Sequence, residues 1–217
     1  MSLSPGSRAR KRKASDGDDS APKPEDLDVL RDYLKKEEAE LRDQAPAMLN
    51  NELVGRMDES KLLIAKLQLQ PSFQEALDAG HVDEARRQLT ACLYLGIRLE
   101  MWLSIFIPPL SAGGNMGISA EVQDGIFSHV HQLTTGSNDA IHHMLAMEKE
   151  LAQMHTKCKD EVWARYRVVL ERTMLHSISK AALDMQVQLS LIGGAILNNI
   201  SHLRKGEEES KIITQMY

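Results

Sequence analysis

Aromatic residues make up only 4% of the 217-residue chain, and β-branched runs are equally sparse. Strands favour those residue types, so their scarcity excludes a β-rich fold. Cysteine is almost missing. Cys92 and Cys158 stand far apart, so neither a disulfide framework nor a zinc-finger spacing can be built. Two buried, reduced thiols are expected. No apolar run reaches the roughly 18 residues that a membrane span needs, so no membrane partner is expected. The N-terminal residues are polar, without the apolar stretch of a secretory signal.

What is present is helix-forming. Leu, Ala, Glu, Lys and Gln dominate, Met reaches 11 residues, and 42% of the chain is hydrophobic. An all-α protein with one sizeable core is predicted. The net charge is −5, unevenly spread. Residues 1–14 carry five basic residues and no acid, leaving −10 on the remainder. An acidic body argues against nucleic acid as the main partner, because phosphate binding needs a basic face.

Residues 1–22 lack apolar periodicity and are rich in Ser, Asp and basic residues, so a disordered tail is expected there. Within it, Arg8, Arg10, Lys11, Arg12 and Lys13 have the composition of a nuclear localisation signal. A solvated basic arm is the plainer alternative. Nucleus and cytoplasm, with the nucleus favoured, follow from the first reading.

Residues 23–217 read as one helical domain. A first helix starts near Pro24, with Leu27, Leu30, Leu34, Leu41, Ala45 and Met48 at helical spacing. Pro46 should kink or end it. Residues 50–71 hold a further amphipathic piece closed by Pro71. A second helix begins around Val82, with Leu89, Leu93, Leu99, Leu103 and Phe106 as its stripe, and stops before Pro108-Pro109. Its last turns, EMWLSIFI, are apolar on more than one face, as expected of a segment covered from two sides. A third helix starts near Ser119, with Val122, Ile126, Val130, Leu133, Ile141, Met144 and Leu151 in one stripe. The fourth runs from about Glu161 through Leu175, Ile178, Ala182, Met185, Leu189, Ile192 and Ile196 to Leu203, and should end at Gly206. Gly193-Gly194 would allow a bend or a close neighbour. Short connections predict an elongated up-down four-helix bundle. The 108–118 loop and the C-terminal tail, 206–217, then share one end.

Signs of catalysis are few. Gly113-Gly114-Asn115-Met116-Gly117 lacks the lysine and hydroxyl of a phosphate-binding loop. His129 and His131 point about 200° apart on a helix and cannot hold one metal. His142 and His143 have the same problem. His155 and Cys158 are three apart, but no further ligands accompany them, so no metal or other cofactor is expected. No hydrolase nucleophile pattern occurs.

The stretch EMWLSIFIPPLSAGGNMGISAEVQDGIF resembles the end of helix two, the activation loop and the start of helix three in the 11S proteasome activators, the REG family. The matching residues are Met101-Trp102, Ile107-Pro108, Gly113, Asn115, Gly117, Ile118 and Val122-Gln123. The tail is similar too, with Lys205-Gly206-Glu207 and a final Met216-Tyr217. The likeness covers roughly 85–217 and is nearest to the nuclear, homomeric branch. Gly114 and Met116 stand where the family has Asn and Phe, the acidic residue before the Gly is missing, and two extra residues follow Gly117. The resemblance implies an ATP-independent ring, a homoheptamer, that caps the 20S proteasome and has no catalysis of its own. Gly113, Gly114, Asn115, Met116, Gly117 and Ile118 would form the activation loop, with Asn115 central. Lys211, Ile212, Ile213, Thr214, Gln215, Met216 and Tyr217 would form the tail that docks in pockets of the proteasome α-subunit ring. Composition and periodicity by themselves fit a nuclear helical-bundle adaptor or a coiled-coil scaffold equally well.

Overall fold

The structure is a computed structural model that describes the backbone of residues 24–106 and 120–215, with side chains over 28–105 and 122–199. The described residues are helical almost throughout, with no strand among them, so the chain is all-α. The helices are α1 (Pro24–Ala47), α2 (Leu53–Gln68), α3 (Phe73–Asp78), α4 (His81–Phe106), α5 (Ala120–Lys157) and α6 (Asp160–Gln215). The basic tail, 1–22, lies outside the described residues. Backbone contacts group 38–217 into one unit and 1–37 into another.

Pro46 interrupts the first helix as expected, and α1 closes one residue later, at Ala47. The proline has no N–H to bond back to Arg42, and the chain beyond it widens into a π turn, Met48–Glu52. The Leu53 N–H reaches back five residues to the Met48 carbonyl. The helix then resumes as α2. The short α3 escapes the periodicity argument but has a local signature: Ser72 caps it, its Oγ accepting from the Glu75 N–H at 3.2 Å. Gly80, at φ 74°, turns the chain into α4.

Cross-helix contacts fix the directions. Between α2 and α4, Lys66 pairs with Glu84 at 2.9 Å, Gln88 Nε2 donates to the Glu59 carbonyl at 3.4 Å, and Arg98 pairs with Glu52. As the numbers rise on one helix they fall on the other, so the pair is antiparallel. The pairs Arg86–Glu148 and Glu100–His131 show the same for α4 and α5. Tyr166 donates to Glu150 across the turn between α5 and α6. Gly193 sits beside Leu53 and Met57 at the start of α2, and Arg167 beside Gln74 on α3, just past its end, so α6 runs antiparallel to α2.

These pairings join α2, α4, α5 and α6 around one core. On α4 the buried residues are Leu89, Cys92, Leu95, Leu99, Trp102 and Leu103. The expected stripe holds at Leu89, Leu99 and Leu103, whereas Leu93 is only half-buried and Leu95 takes its place. On α6 the predicted residues Ile178, Ala182, Met185, Leu189, Ile192 and Ile196 are all buried. Each full burial of an aliphatic side chain contributes about 1.5–3 kcal/mol, so these two seams carry much of the stability. On α1, Leu41, Ala45 and Met48 are buried, but Leu30 and Leu34 are exposed, as are Val29 and Tyr33. A helical period marks an apolar face without saying whether the same chain covers it.

α6 does not stop at Gly206. It continues to Gln215, so Lys211, Ile212, Ile213, Thr214 and Gln215 are helical. One glycine costs a helix only about 1 kcal/mol, and the flanking Glu and Lys are good helix formers. Gly193-Gly194 is likewise inside an unbroken helix, and Gly193 serves as a close neighbour of α2.

Two glycines predict opposite outcomes. A Cβ at Gly96 would stand 2.4 Å from Thr134 Oγ1 and 3.4 Å from Thr134 Cα. Thr134 cannot easily give way, because its Oγ1 donates to the Val130 carbonyl at 3.0 Å. Gly96→Ala therefore lowers stability by on the order of 1 kcal/mol, overpacking outweighing helix propensity. A Cβ at Gly136 meets nothing within 4 Å, so Gly136→Ala raises stability by about 1 kcal/mol. Urea denaturation of the two variants measures both signs.

Candidate functional site

The antiparallel order places the last turns of α4, the first turns of α5 and the C-terminal part of α6 at one end. α5 and α6 are about 57 and 84 Å long at 1.5 Å per residue, so α6 outruns its partner. The proposed activation loop, Gly113, Gly114, Asn115, Met116, Gly117 and Ile118, lies outside the described residues, as do Met216, Tyr217 and the basic cluster from Arg8 to Lys13. The structure describes what flanks that loop and the helix that leads to the tail.

The α4 flank is split between inside and outside. Trp102 and Leu103 are buried in the core, whereas Met101 and Ile105 are 43% and 39% exposed. This is the double-faced pattern expected of EMWLSIFI. Tyr94 and Ile97 extend the outer stripe, giving steps of three, four and four along α4. A second outward stripe runs down α6, through Leu183, Val187 and Leu191. The sequence pattern signalled the first; the second was hidden behind the stronger core stripe of the same helix.

On the α5 flank, Gln123 and Ile126 are buried, and Val122 and Phe127 pack partly against the core. Thus Trp102 and Leu103 on one side and Gln123 and Ile126 on the other pin both entrances to the 107–119 segment. Between them lies a cleft of about 490 Å³ lined by Glu100, Ser104, Asp124, Phe127, Ser128 and His131. His131 Nδ1 is 3.3 Å from Glu100, and its only recorded partner among the described residues is that carboxylate, not a hydroxyl. Ser128 Oγ accepts from Gln132 Nε2 at 3.4 Å. A histidine that faces an acid without a hydroxyl to deprotonate is not arranged as a nucleophile–base pair.

The remaining candidates are dispersed. His129 and His131 do not converge, and His155 packs edge-on against Trp163 with ring centroids 5.4 Å apart. No group of three His, Cys, Asp or Glu residues suited to a metal occurs among the described residues. None of their helices is long and apolar enough to cross a membrane.

The two thiols differ, contrary to the expectation of two buried ones. Cys92 is buried, but Cys158, in the turn between α5 and α6, is partly exposed. Burial, only partly opposed by Arg56, pushes the Cys92 thiol up to about 12, with Glu59 and Glu52 adding to the rise. A turn position between two long helices offers too few neighbours to cover a side chain.

No protein-family model matches the chain, and no curated protein matches it.

The thiol contrast is directly measurable. A thiol reagent at pH 8 should label Cys158 in the folded protein and leave Cys92 untouched until denaturant is added, because the thiolate is the nucleophile. Cys158→Ser should then remove the native-state labelling; fast labelling that survives it would contradict the buried Cys92.

Proposed function

We propose that this protein is a non-enzymatic activator of the 20S proteasome: a ring that docks through its C-terminal tails and opens the substrate gate with the 108–118 loop. One observation supports this reading above the rest. The flanks of the loop and the C-terminal part of α6 share one end of the helical unit, as required if one face is to carry both a docking tail and a gate-opening loop. The sequence resemblance assigns those two segments the matching tasks.

The energetics are consistent with a ring. A single tail ending in Met216 and Tyr217 is a small ligand. Seven copies on a rigid assembly raise avidity through effective concentration. Opening a gate further requires that the loop not yield. Buried anchors at Trp102, Leu103, Gln123 and Ile126, with Pro108-Pro109 next to them in sequence, hold its two ends. Ring closure needs two different faces that meet. The outer stripe of α4 and the outer stripe of α6 are two apolar faces on one helical unit that could serve this. In this reading the basic cluster at Arg8–Lys13 directs the protein to the nucleus.

Two variants test the reading. Deleting Lys211–Tyr217 abolishes both proteasome binding and stimulation of fluorogenic-peptide cleavage. Asn115→Tyr keeps binding, measured by co-sedimentation with the 20S particle, and abolishes stimulation. Full stimulation by the truncated chain would sink the mechanism. A helical adaptor without a proteasome role would tolerate the truncation and bind no 20S particle at all.

A further inference from the structure

The helices α5 and α6 leave a groove of about 590 Å³ between them. Its floor is apolar: Leu89, Leu133 and Met185 are buried there, flanked by Ala140 and Ala181. Gly136 opens it, since a Cβ there would meet nothing within 4 Å. The rim is polar and includes Asp139, whose carboxylate has no ion pair or hydrogen bond among the described residues. Val187 stands at the edge, so the groove is continuous with the outer stripe of α6. An apolar floor with an acceptor on the rim suits a side chain that is apolar in its body and a donor at its tip. Tyrosine is built that way.

The chain carries such a side chain on another face. Tyr94, on the outward stripe of α4, is 62% exposed and makes no hydrogen bond among the described residues. It cannot turn into the groove of its own chain. Gly96 faces α5, and Tyr94, two residues away, stands about 200° around the helix from it. Height along the bundle points to a second copy instead. Gly96 lies beside Thr134, Glu100 beside His131, and Arg86 pairs with Glu148. Tyr94 is therefore level with α5 just past Thr134, where Gly136 opens the groove. The ring proposed above carries every loop and tail on one face, so its rotation leaves each residue at its own height. Such a rotation brings Tyr94 of one protomer level with the groove of the next.

We infer that Tyr94 of one protomer seats in the α5–α6 groove of the next, its ring against Leu133, Ala140 and Met185 and its hydroxyl donating to the Asp139 carboxylate. The inference rests on the ring reading and names the anchor of its interface. The two surfaces are different, so the contact is heterologous and repeats from protomer to protomer until the ring closes. α4 and α6 run in the same direction, both being antiparallel to α2. Ile97 and Met101 thus continue from Tyr94 toward the same end as Leu191 continues from Val187, and the two apolar stripes lie along each other. A tyrosine seated in a pocket and ringed by apolar contacts has the makeup of an interface hot spot.

Photo-crosslinking of the full chain, with p-benzoylphenylalanine at position 94, tests this. A mixture of isotope-labelled and unlabelled chains separates links between copies from links within one, and native mass spectrometry gives the assembly. Links between copies are expected from position 94 to 132–143 or 177–188. Tyr94→Ala raises the concentration at which the assembly half-dissociates at least about tenfold, and Tyr94→Phe, which loses only the hydroxyl, raises it about threefold. Gly136→Leu fills the groove from its own side and abolishes assembly, while the circular dichroism melt stays cooperative. Links between copies that map elsewhere, or a ring that tolerates both Tyr94→Ala and Gly136→Leu, overturn this contact and leave the activator reading standing. A chain that stays monomeric overturns the contact and the ring together.

Discussion

The close approach of α4 to α5 at Gly96 and Thr134 is the constraint on which the rest depends. A side chain at 96 would collide with Thr134, whose hydroxyl is tied to its own helix. With hydrogen at that position the two helices come close enough for Leu95, Leu99 and Leu103 to be fully buried, along with Val130 and Leu133. Close packing of this kind also fixes register, because a core at crystalline density cannot slide by a residue without opening voids. The register in turn decides which residues of α4 and α5 stand at the entrances to the 107–119 segment.

Charge pairs reinforce that register without driving the fold. Lys66–Glu84 and Arg98–Glu52 bracket α2 against α4, and Arg86–Glu148 holds α4 to α5. All are partly exposed, so each contributes modestly in the face of solvent screening. Their value lies in direction, since a slipped or parallel alignment would separate the opposite charges. Antiparallel order then sends the C-terminal part of α6 to the end where α4 stops and α5 starts. The functional reading depends on that consequence of packing rather than on any reactive group.

Much of this was legible in the sequence where one face of a helix is buried by its own chain. The α6 series from Ile178 to Ile196 kept its period without fault, and the glycine break before His81 marked the start of α4. The misreadings have physical causes. Gly206 signalled an end, but strong helix formers around it outweighed a penalty of about 1 kcal/mol. The groove beside Gly136 gave no signal at all, since only the facing helix gives it a second wall. For the functional end, the split of EMWLSIFI into Trp102 and Leu103 inside and Met101 and Ile105 outside was readable, whereas the α6 outer stripe was masked by its own core stripe.

The most direct test of the central claim is native mass spectrometry of the full chain mixed with latent 20S proteasome. The account predicts that the free protein is a ring of about seven times the 24.3 kDa chain mass, and that the proteasome gains this mass once or twice, at one or both ends. A monomer or dimer that leaves the 20S mass unchanged would contradict it.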